Sequence, residues 1–552
     1  MQKIHWYLWL ILGSLSFLLV LIPLFNRTFL PIDETRYITV AWEMWYQGNF
    51  LVPSFNGEVY HHKPPLLFWL IHLGWAIFGV NEWWPRIVPG FFSLGSLWLT
   101  AHLAHQLWPQ ESRVAQWAPF ILLSGLLWSL FTSAVMFDMM LAFFTLLGLV
   151  AIVSPHPAPS SKGPQKWILL GIAIGLGVLT KGPVILLHLL PIALLAPLWQ
   201  TARPFPWQSW YLGILGSVIL GALIALAWAI PAAVAGGEEF RQAIFWGQTA
   251  GRMVNSFAHN HPIWWYLPLL PIALFPWLLW LPLWRGFFQL PHYQNDRGVR
   301  LCVVWLVVVF FSFSLISGKQ LHYLLPTLPG FALLAAYLFV KLPPKQQNQR
   351  WDMVLPGLII IWVGVLFLGV PHLPTSLPSW VGNISPLSGI ILLLLGGILV
   401  LLSFFLSFLP QREGESKINF GLLSLSTIAI LFSLILPLTI LRAAGPAYDL
   451  RQFSQQVERL QRTGKTIVHF GQYHGQYQFL GRFRQPLPIV DEYEICSWFS
   501  QNPDGKLIVY FARQYQELSQ YAEYVQSYRS KQVGILDVKF LHNACLKVMP
   551  LL

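Results

Sequence analysis

Three charged side chains directly follow the first apolar segment, in the run Asp33-Glu34-Thr35-Arg36-Tyr37. On a helix, Asp33, Arg36 and Tyr37 lie on one face at spacings i, i+3 and i+4. A guanidinium could therefore hold the Asp33 carboxylate and leave one of its oxygens free. The alternative is a helix at the membrane surface whose charged groups are simply solvated. Charge so close to an apolar segment favours the chemical interpretation.

A second polar run, His61-His62-Lys63-Pro64-Pro65, ends in two prolines. The residue before a proline avoids the helical region, so Lys63 is predicted to lie in extended chain, where a fixed ammonium suits a phosphate. Neighbours in extended chain point to opposite sides, so at most one of the two histidines is expected to bind a divalent ion. The alternative for Lys63 is that it reaches towards lipid head groups.

A carboxylate, Asp138, opens a later apolar segment, where it is costly unless it is paired. Its candidate partners are Arg36 and Lys181. Lys181 lies between two apolar segments, just before Gly182 and Pro183, which break the helix. A hairpin turn explains the glycine and the proline but not the lysine.

Two later loops add basic and aromatic groups at the same predicted level. The loop 238–261 contains Arg241 and Arg252, and an arginine there could clamp a phosphate with two hydrogen bonds. A further apolar segment begins with Lys319, His322 and Tyr323. These groups extend a polar mouth on one side of the predicted membrane domain.

The composition is that of a protein that crosses a membrane many times. Of 552 residues, 55% are hydrophobic, 10% are charged and 28 are tryptophan. A soluble protein of this size needs a charged shell, whereas lipid accepts apolar side chains on every helix face. The net charge of +12 includes no basic run suited to a polynucleotide. Membrane lipids are therefore expected partners, and nucleic acid is not.

About thirteen apolar stretches are long enough to cross a bilayer, which takes roughly 17–25 residues. They lie near 6–25, 86–107, 114–131, 136–153, 167–180, 183–199, 209–233, 263–284, 300–316, 321–340, 353–371, 386–408 and 418–441. The stretch 61–78 is apolar in part, but Pro64 and Pro65 interrupt its start. An interfacial or re-entrant segment is therefore predicted there.

Lys and Arg are more frequent in the short loops on one side, which places the N terminus in the cytoplasm. Residues 1–444 are predicted to form the transmembrane domain, with a first extracytoplasmic loop and its juxtamembrane helices at 26–85. With an odd number of spans, residues 445–552 lie outside the cytoplasm.

The segment 445–552 is predicted to be a small soluble α/β domain. Strand-like runs occur at 466–470 and 507–511, and polar helical stretches at 450–462 and 513–530. Two of the three cysteines, Cys496 and Cys545, fall in this domain and could pair in an oxidising compartment. Cys302 lies in an apolar segment and is expected to pack there.

Seven pieces of the sequence, in order, resemble the membrane glycosyltransferases of the type C (GT-C) fold. They are Asp33-Glu34-Thr35-Arg36-Tyr37, Asn56-Gly57 with His62-Lys63-Pro64-Pro65, Phe78-Gly79-Val80-Asn81-Glu82 with Arg86, Asp138, Leu179-Thr180-Lys181-Gly182-Pro183, Arg252 and Tyr323-Leu324-Leu325-Pro326. The resemblance covers about residues 1–340. It is to the lipid A aminoarabinose transferases in particular, with the protein O-mannosyltransferases as more distant relatives. It implies a polytopic α-helical membrane protein with a small extracytoplasmic C-terminal domain.

The resemblance also implies a function. The donor would be a sugar on undecaprenyl phosphate or a similar polyprenyl phosphate, and the acceptor would be lipid A or another glycan or lipid outside the cytoplasm. The protein would lie in the bacterial inner membrane with its active site on the periplasmic side. The resemblance implies three catalytic residues, Asp33, Arg36 and Asp138, and four residues that bind the carrier phosphate, Lys63, Arg252, Tyr323 and Lys181.

A divalent metal ion is associated with the family positions around the Lys-Pro-Pro motif. This chain has His62 where the lipid A transferases carry Glu, and the residues before Arg252 supply neither Glu nor His. Two alternatives follow from this departure. Either the chain lacks that metal site, or the site is rebuilt from His62 and a loop histidine.

The residue types suit transfer from a phosphate-linked sugar. A base must take the proton of the acceptor, as Asp33 could, and cations must stabilise the departing phosphate, as Lys63 and Arg252 could. We predict direct displacement with inversion. A covalent sugar intermediate would need a second carboxylate, for which Asp138 is the buried candidate. The rival interpretations are a transporter or flippase of polyprenyl-linked sugars and a non-catalytic lipid-binding or assembly protein.

Overall fold

A computed structural model of the protein describes residues 6–154, 163–201, 205–245, 260–372, 379–408, 419–512 and 518–541. The described residues form two compact units. The first unit draws on Met1–Phe25, His61–Leu368 and Pro386–Pro437. The second draws on Asn26–Tyr60, Gly369–Ser385 and Leu438–Leu552. The loop predicted at 26–85 is therefore divided, and its first part belongs with the C-terminal segment.

The α-helices are α1 (Trp6–Asn26), α2 (Asp33–Gln47), α3 (Leu66–Phe78), α4 (Trp84–Leu107), α5 (Ser112–Ser124), α6 (Leu126–Phe131), α7 (Asp138–Val153), α8 (Gly163–Lys181), α9 (Val184–Leu194), α10 (Ala196–Trp199), α11 (Trp207–Gln242), α12 (Leu270–Ala273), α13 (Leu281–Phe288), α14 (Arg297–Leu315), α15 (Leu328–Lys341), α16 (Pro344–Gln347), α17 (Val354–Gly369), α18 (Pro386–Phe408), α19 (Phe420–Ala444), α20 (Arg451–Arg462), α21 (Gln478–Gly481), α22 (Ile495–Gln501) and α23 (Val538–Leu541). Within the described residues, seven helical segments are long and apolar enough to cross a membrane. They are Trp6–Asn26, Trp84–Leu107, Trp207–Phe245, Arg297–Leu315, Leu321–Lys341, Pro386–Phe408 and Phe420–Arg462. Four shorter apolar helices accompany them, α3, α7, α9 and α17. The protein is an integral membrane protein, and the count of thirteen spans stays a prediction.

Proline decides where several apolar segments begin or break. Pro65 caps α3, as the double proline predicted. The stretch 263–284, predicted as one span, is instead a series of short 3₁₀ and α turns that includes Leu267–Leu269 and Trp277–Leu279. Its closely spaced prolines remove backbone donors and clash with the preceding turn, so a continuous helix does not form.

The second unit contains two sheets. The smaller is the hairpin β1 (Ser54–Phe55) and β2 (Glu58–Val59). The larger contains β3 (Ile467–Phe470), β4 (Ile489–Val490), β5 (Lys506–Phe511), β6 (Ala522–Tyr528) and β7 (Lys531–Asp537), in the order β4-β3-β5-β7-β6. β3 pairs in parallel with β4 and β5, and β7 pairs antiparallel with β5 and β6.

Apolar clusters cover both faces of the larger sheet. Residues of a strand alternate between faces, so neighbouring residues of β5 belong to different clusters. Ile508 joins a buried cluster with Phe453 and Val457 of α20. Its neighbour Leu507 joins a second cluster with Ile495 and Phe499 of α22. The strands and α20 confirm the predictions made at 466–470, 507–511 and 450–462.

The helix predicted at 513–530 is wrong. Ala522–Tyr528 forms β6 instead, and Arg529, in the left-handed region at φ 55°, turns the chain into β7. Pairing along β7 outweighs the weak local preference of this polar stretch for helix. Cys496 is disulfide-bonded and Cys302 is free and buried, whereas Cys545 lies outside the described residues.

Candidate active site

A buried ion pair joins two helices of the first unit. Asp138 is the first residue of α7 and Lys181 the last of α8, where Gly182 at φ 77° ends the helix. The Lys181 Nζ donates to Asp138 Oδ1 at 2.5 Å. The side chains are 10% and 2% exposed. The structure thus confirms Lys181 as the partner of Asp138, one of the two candidates that the sequence offered.

Two further predicted site residues lie around this pair. The Lys181 Nζ stands 4.7 Å from the centre of the Tyr323 ring. The Lys63 Nζ stands 5.9 Å from the ring of Phe137, the residue before Asp138, and its charge acts on the Asp138 carboxylate. Four predicted residues that are distant in sequence, Lys63, Asp138, Lys181 and Tyr323, therefore converge in the first unit.

Asp33 lies in the second unit, at the start of α2 and half-buried. The Tyr37 hydroxyl donates to Asp33 Oδ1 at 3.2 Å. Among the described residues, Arg36 makes no ion pair with Asp33, so the guanidinium clamp expected from their spacing is wrong. The neighbouring carboxylate, Glu34, does have an arginine partner: Arg27 donates two hydrogen bonds to it, of 2.5 and 2.7 Å.

A loop of the same unit lies against α2. The Thr35 hydroxyl donates to the His474 carbonyl at 3.3 Å, and the Thr39 hydroxyl donates to the Gly475 carbonyl at 2.9 Å. Gly475 adopts φ 72°, and an added Cβ would stand 2.8 Å from the Thr39 Oγ1, so only glycine fits. This close approach brings the half-buried His474 ring to the turn that carries Asp33.

The His474 ring is a candidate site residue that the sequence alone did not indicate. Burial and the nearby charges of Arg36 and Arg529 lower the pKa of His474, while Asp33 raises it. The imidazole is therefore neutral near pH 7 and can both donate and accept a hydrogen bond. Because Asp33 and His474 are 441 positions apart, no spacing rule links them. The doublet of Gly471 and Gly475 around Tyr473 and His474 was the available signal for a tight functional loop.

A buried carboxylate holds the second unit together behind this turn. Glu43 accepts hydrogen bonds from the backbone N–H groups of Asn56 and Gly57, the latter at 3.1 Å, and from the Gln478 Nε2 at 2.5 Å. Burial raises the pKa of Glu43, and these hydrogen bonds oppose the rise. The contacts tie α2, the β1–β2 turn and α21 to one another.

The structure shows no metal site at His62 among the described residues. The rings of His61 and His62 lie 4.3 Å apart between centres, so the expectation that they point to opposite sides is wrong. Within the described ranges, no group of three His, Cys, Asp or Glu side chains could hold a metal ion. Arg252, the other predicted phosphate ligand, lies outside the described residues.

The sequence matches one family model and several known proteins. Residues 25–235 match the family model for dolichyl-phosphate-mannose-protein mannosyltransferase. An undecaprenyl phosphate-alpha-4-amino-4-deoxy-L-arabinose arabinosyl transferase of Pseudomonas fluorescens is 31% identical over 409 residues, which is 72% of this chain and 70% of that protein. The chain belongs to this arabinosyl transferase family.

Another member of the arabinosyl transferase family, from Pseudomonas paraeruginosa, is 33% identical over 380 residues. The match covers 67% of this chain, and the chain spans 65% of the length of that relative. The fold is that of ArnT from Cupriavidus metallidurans bound to undecaprenyl phosphate, at a TM-score of 0.75 and 18% identity. The two structures correspond over 95% of this chain and 97% of the other. The arabinosyl transferase family and its GT-C fold confirm the resemblance drawn from the sequence.

Proposed function

We propose that the protein is a glycosyltransferase that moves a sugar from undecaprenyl phosphate, or a similar polyprenyl phosphate, to an acceptor outside the cytoplasm such as lipid A or another glycan or lipid. The observation that carries this proposal is the convergence of Lys63, Lys181, Asp138 and Tyr323 in a member of the arabinosyl transferase family. A nearly buried cation, Lys181, and a half-buried one, Lys63, suit a lipid phosphate, which enters from the membrane and carries its own charge.

We assign the binding of the carrier lipid's phosphate to the basic side chains. Lys63 directly precedes two prolines, and its charge acts on the Asp138 carboxylate. Lys181 is oriented by Asp138 and by the Tyr323 ring, so its ammonium pays little entropy on binding an anion. Arg252 is the third cation that we assign to the phosphate, on the basis of the family motif alone.

The role of the base falls to Asp33. Tyr37 holds one of its oxygens by the 3.2 Å hydrogen bond, and the side chain is only half-buried, so the carboxylate can reach an acceptor. In the proposed reaction, Asp33 takes the proton of the acceptor oxygen as that oxygen attacks C1 of the sugar. The bond from C1 to the phosphate oxygen breaks, and its electron pair leaves with the polyprenyl phosphate. Arg36, on the same turn, is proposed to orient the reacting groups.

Direct displacement with inversion agrees with the state of Asp138. A two-step reaction with retention needs a second carboxylate as nucleophile, and Asp138 is the buried candidate. Its side chain is 2% exposed and one of its oxygens accepts a hydrogen bond from Lys181 at 2.5 Å. A carboxylate so engaged serves to orient a cation and is poorly placed to attack a sugar.

We further propose that the protein lies in the bacterial inner membrane with its N terminus in the cytoplasm. The C-terminal segment 445–552 and the catalytic groups would then face the periplasm. The disulfide at Cys496 supports an oxidising surrounding for this segment. A cysteine-accessibility measurement at the exposed Glu58, replaced by Cys, tests the assignment: labelling of intact spheroplasts by a membrane-impermeant thiol reagent is expected.

The experiment that tests the function measures transfer of label from a polyprenyl-phosphate sugar to acceptors in membranes that contain the wild type, Asp33→Asn or Glu58→Gln. Glu58 is an exposed acid of the same unit and serves as the matched control. We expect transfer with the wild type and Glu58→Gln and none with Asp33→Asn. The labelled product then identifies the acceptor, and the configuration at C1 reports inversion or retention.

Two results would contradict the proposal. Equal transfer by the wild type and Asp33→Asn would remove Asp33 as the base. Movement of the labelled lipid between leaflets without formation of a glycosylated product would indicate the transporter instead.

A further inference from the structure

A buried histidine of the first unit has no hydrogen-bond partner in the part of the chain that the structure describes. His188 lies on α9, one turn after the helix begins, and its side chain is 0% exposed. Its ring lies 4.8 Å from the ring of Phe313 on α14. Among the described residues, neither Nδ1 nor Nε2 has a hydrogen-bond partner. A neutral imidazole has one donor and one acceptor, so both capacities are left open.

An apolar residue at this position would make the folded protein more stable. A leucine or phenylalanine between α9 and α14 would pack without any polar group to satisfy, whereas burying an unbonded donor or acceptor costs stability. Buried polar groups that lack protein partners are commonly satisfied by ordered water. The unbonded nitrogens of His188 therefore indicate that ordered water lies beside the ring.

The position of His188 connects it to the ion pair described above. The Phe313 ring beside it lies 6.2 Å from the Tyr323 ring, which in turn faces the Lys181 ammonium at 4.7 Å. The charges of Lys181 and Asp138 both act on the His188 ring. His188 thus belongs to the same cluster of side chains.

Two hydroxyl groups on the helices that pack against α9 are likewise buried without a partner among the described residues. They belong to Thr145 on α7 and Ser314 on α14. Ser314 follows Phe313 directly, and Thr145 lies one turn before Gly148, which packs against Leu189 of α9. Each of these three helices therefore carries a buried polar atom without a partner among the described residues, and buried atoms of this kind are commonly satisfied by ordered water.

We propose that His188 is a positioning residue for the Asp138–Lys181 pair. Its ring nitrogens hold ordered water, and that water bonds to the pair. This network keeps the Lys181 ammonium oriented towards the carrier phosphate while preserving its charge in a buried place. The inference rests on the proposed function, because it assigns Lys181 to the carrier phosphate, and it adds a residue that no motif contains.

The test compares His188→Phe, which keeps a flat ring and removes both nitrogens, with His188→Gln, which keeps a donor and an acceptor. His102→Phe on α4 is the matched control, since His102 is exposed and stacks on Trp98 at the far end of that helix. For each purified full-length protein, the Kd for undecaprenyl monophosphate, the sugar-transfer rate and the Tm are measured. We expect His188→Phe to weaken binding about tenfold, with a Tm equal to or above that of the wild type. His188→Gln should recover most of the affinity, and His102→Phe should match the wild type.

The other outcomes contradict either the role of His188 or the proposed function. Unchanged affinity in His188→Phe together with a higher Tm would overturn the inference and leave the proposed function intact, because the histidine would then be a polar defect in the packing. Equal losses of Tm and affinity in both His188 variants would also overturn it, in favour of a purely structural role. Failure of the wild type to bind the lipid phosphate would overturn the proposed function itself, and the role of His188 with it.

Discussion

The Lys181 ammonium lies 2.5 Å from the Asp138 carboxylate, and both side chains are almost fully buried. Neither charge can be solvated by bulk water at this depth, so each depends on the other for its stability. The pair also joins the ends of α7 and α8 beside the Tyr323 ring. The geometry of the proposed phosphate site and the stability of the first unit are therefore coupled.

Breaking the pair on one side should cost more than removing it. We expect Lys181→Met or Asp138→Asn to lower the free energy of unfolding by about 3–5 kcal/mol, because one buried charge is left alone. The double variant Asp138→Asn/Lys181→Met should cost less than the sum of the two. Thermal unfolding of the purified protein in detergent measures all four corners of the cycle, and additive losses would show that the two charges are independent.

The hydrogen bond from Tyr37 should matter for turnover. In Tyr37→Phe the Asp33 carboxylate loses the bond that orients it, so we expect kcat to fall about threefold to tenfold while KM for the lipid donor stays unchanged. Tyr46→Phe, on the same helix, is the matched control. A rise in KM without a fall in kcat would assign Tyr37 to substrate binding instead.

Removal of the Lys63 ammonium should affect the donor selectively. We expect Lys63→Gln to raise KM for the polyprenyl-phosphate sugar on the order of tenfold, because one charge-assisted contact to the phosphate is lost. The exposed Lys345→Gln is the control for loss of a positive charge elsewhere. Steady-state kinetics at varied donor concentration separate the two parameters, and an unchanged KM would remove Lys63 from the phosphate site.

The second unit should depend on its buried glutamate. Glu43→Ala leaves the donors of Asn56, Gly57 and Gln478 without an acceptor, and we expect a loss of about 1–3 kcal/mol in the stability of this unit for each donor left unsatisfied. Hydrogen exchange of α2 and α21 in the full-length protein reports the loss locally. The exposed Glu58→Ala should leave exchange as in the wild type, and equal effects of the two variants would contradict the role of Glu43.

The same unit should become less stable in mild acid. Burial lowers the pKa of His469 to about 4, so between that pH and about 6.5 the unfolded chain binds the proton and the folded one does not. The contribution is fully present above the unfolded pKa and is lost on acidification through this window, on the order of 3 kcal/mol. His469→Gln should flatten this pH dependence of unfolding. The exposed His372→Gln should keep it, and a flat profile in the wild type would refute the argument.

Features that depend on neighbouring residues could be predicted from the sequence. Two prolines act within a turn, and α3 begins directly after them. The apolar runs that became helices, and the strand-like runs that became β3 and β5, express preferences of the same short range. The matched motifs named the family for the same reason, since each is a few residues long.

Partners across the chain were decided only by the tertiary structure. The spacing of Asp33 and Arg36 favoured a clamp, yet Tyr37 holds Asp33 and Arg27 holds Glu34. The stretch 513–530 carries no strong local preference, and pairing with β7 made part of it a strand. Local spacing shows which groups can meet, whereas competition among all available partners decides which do.

The sequence by itself determined a membrane protein of the arabinosyl transferase family, because composition and short motifs are local properties of the chain. Only the tertiary structure decided which charges are buried together, that His474 approaches Asp33 and that His188 joins the Asp138–Lys181 cluster. Burial and electrostatic contact depend on every packed neighbour at once. Residues such as His188 and Phe313, which are 125 positions apart, acquire those neighbours only when the chain has folded.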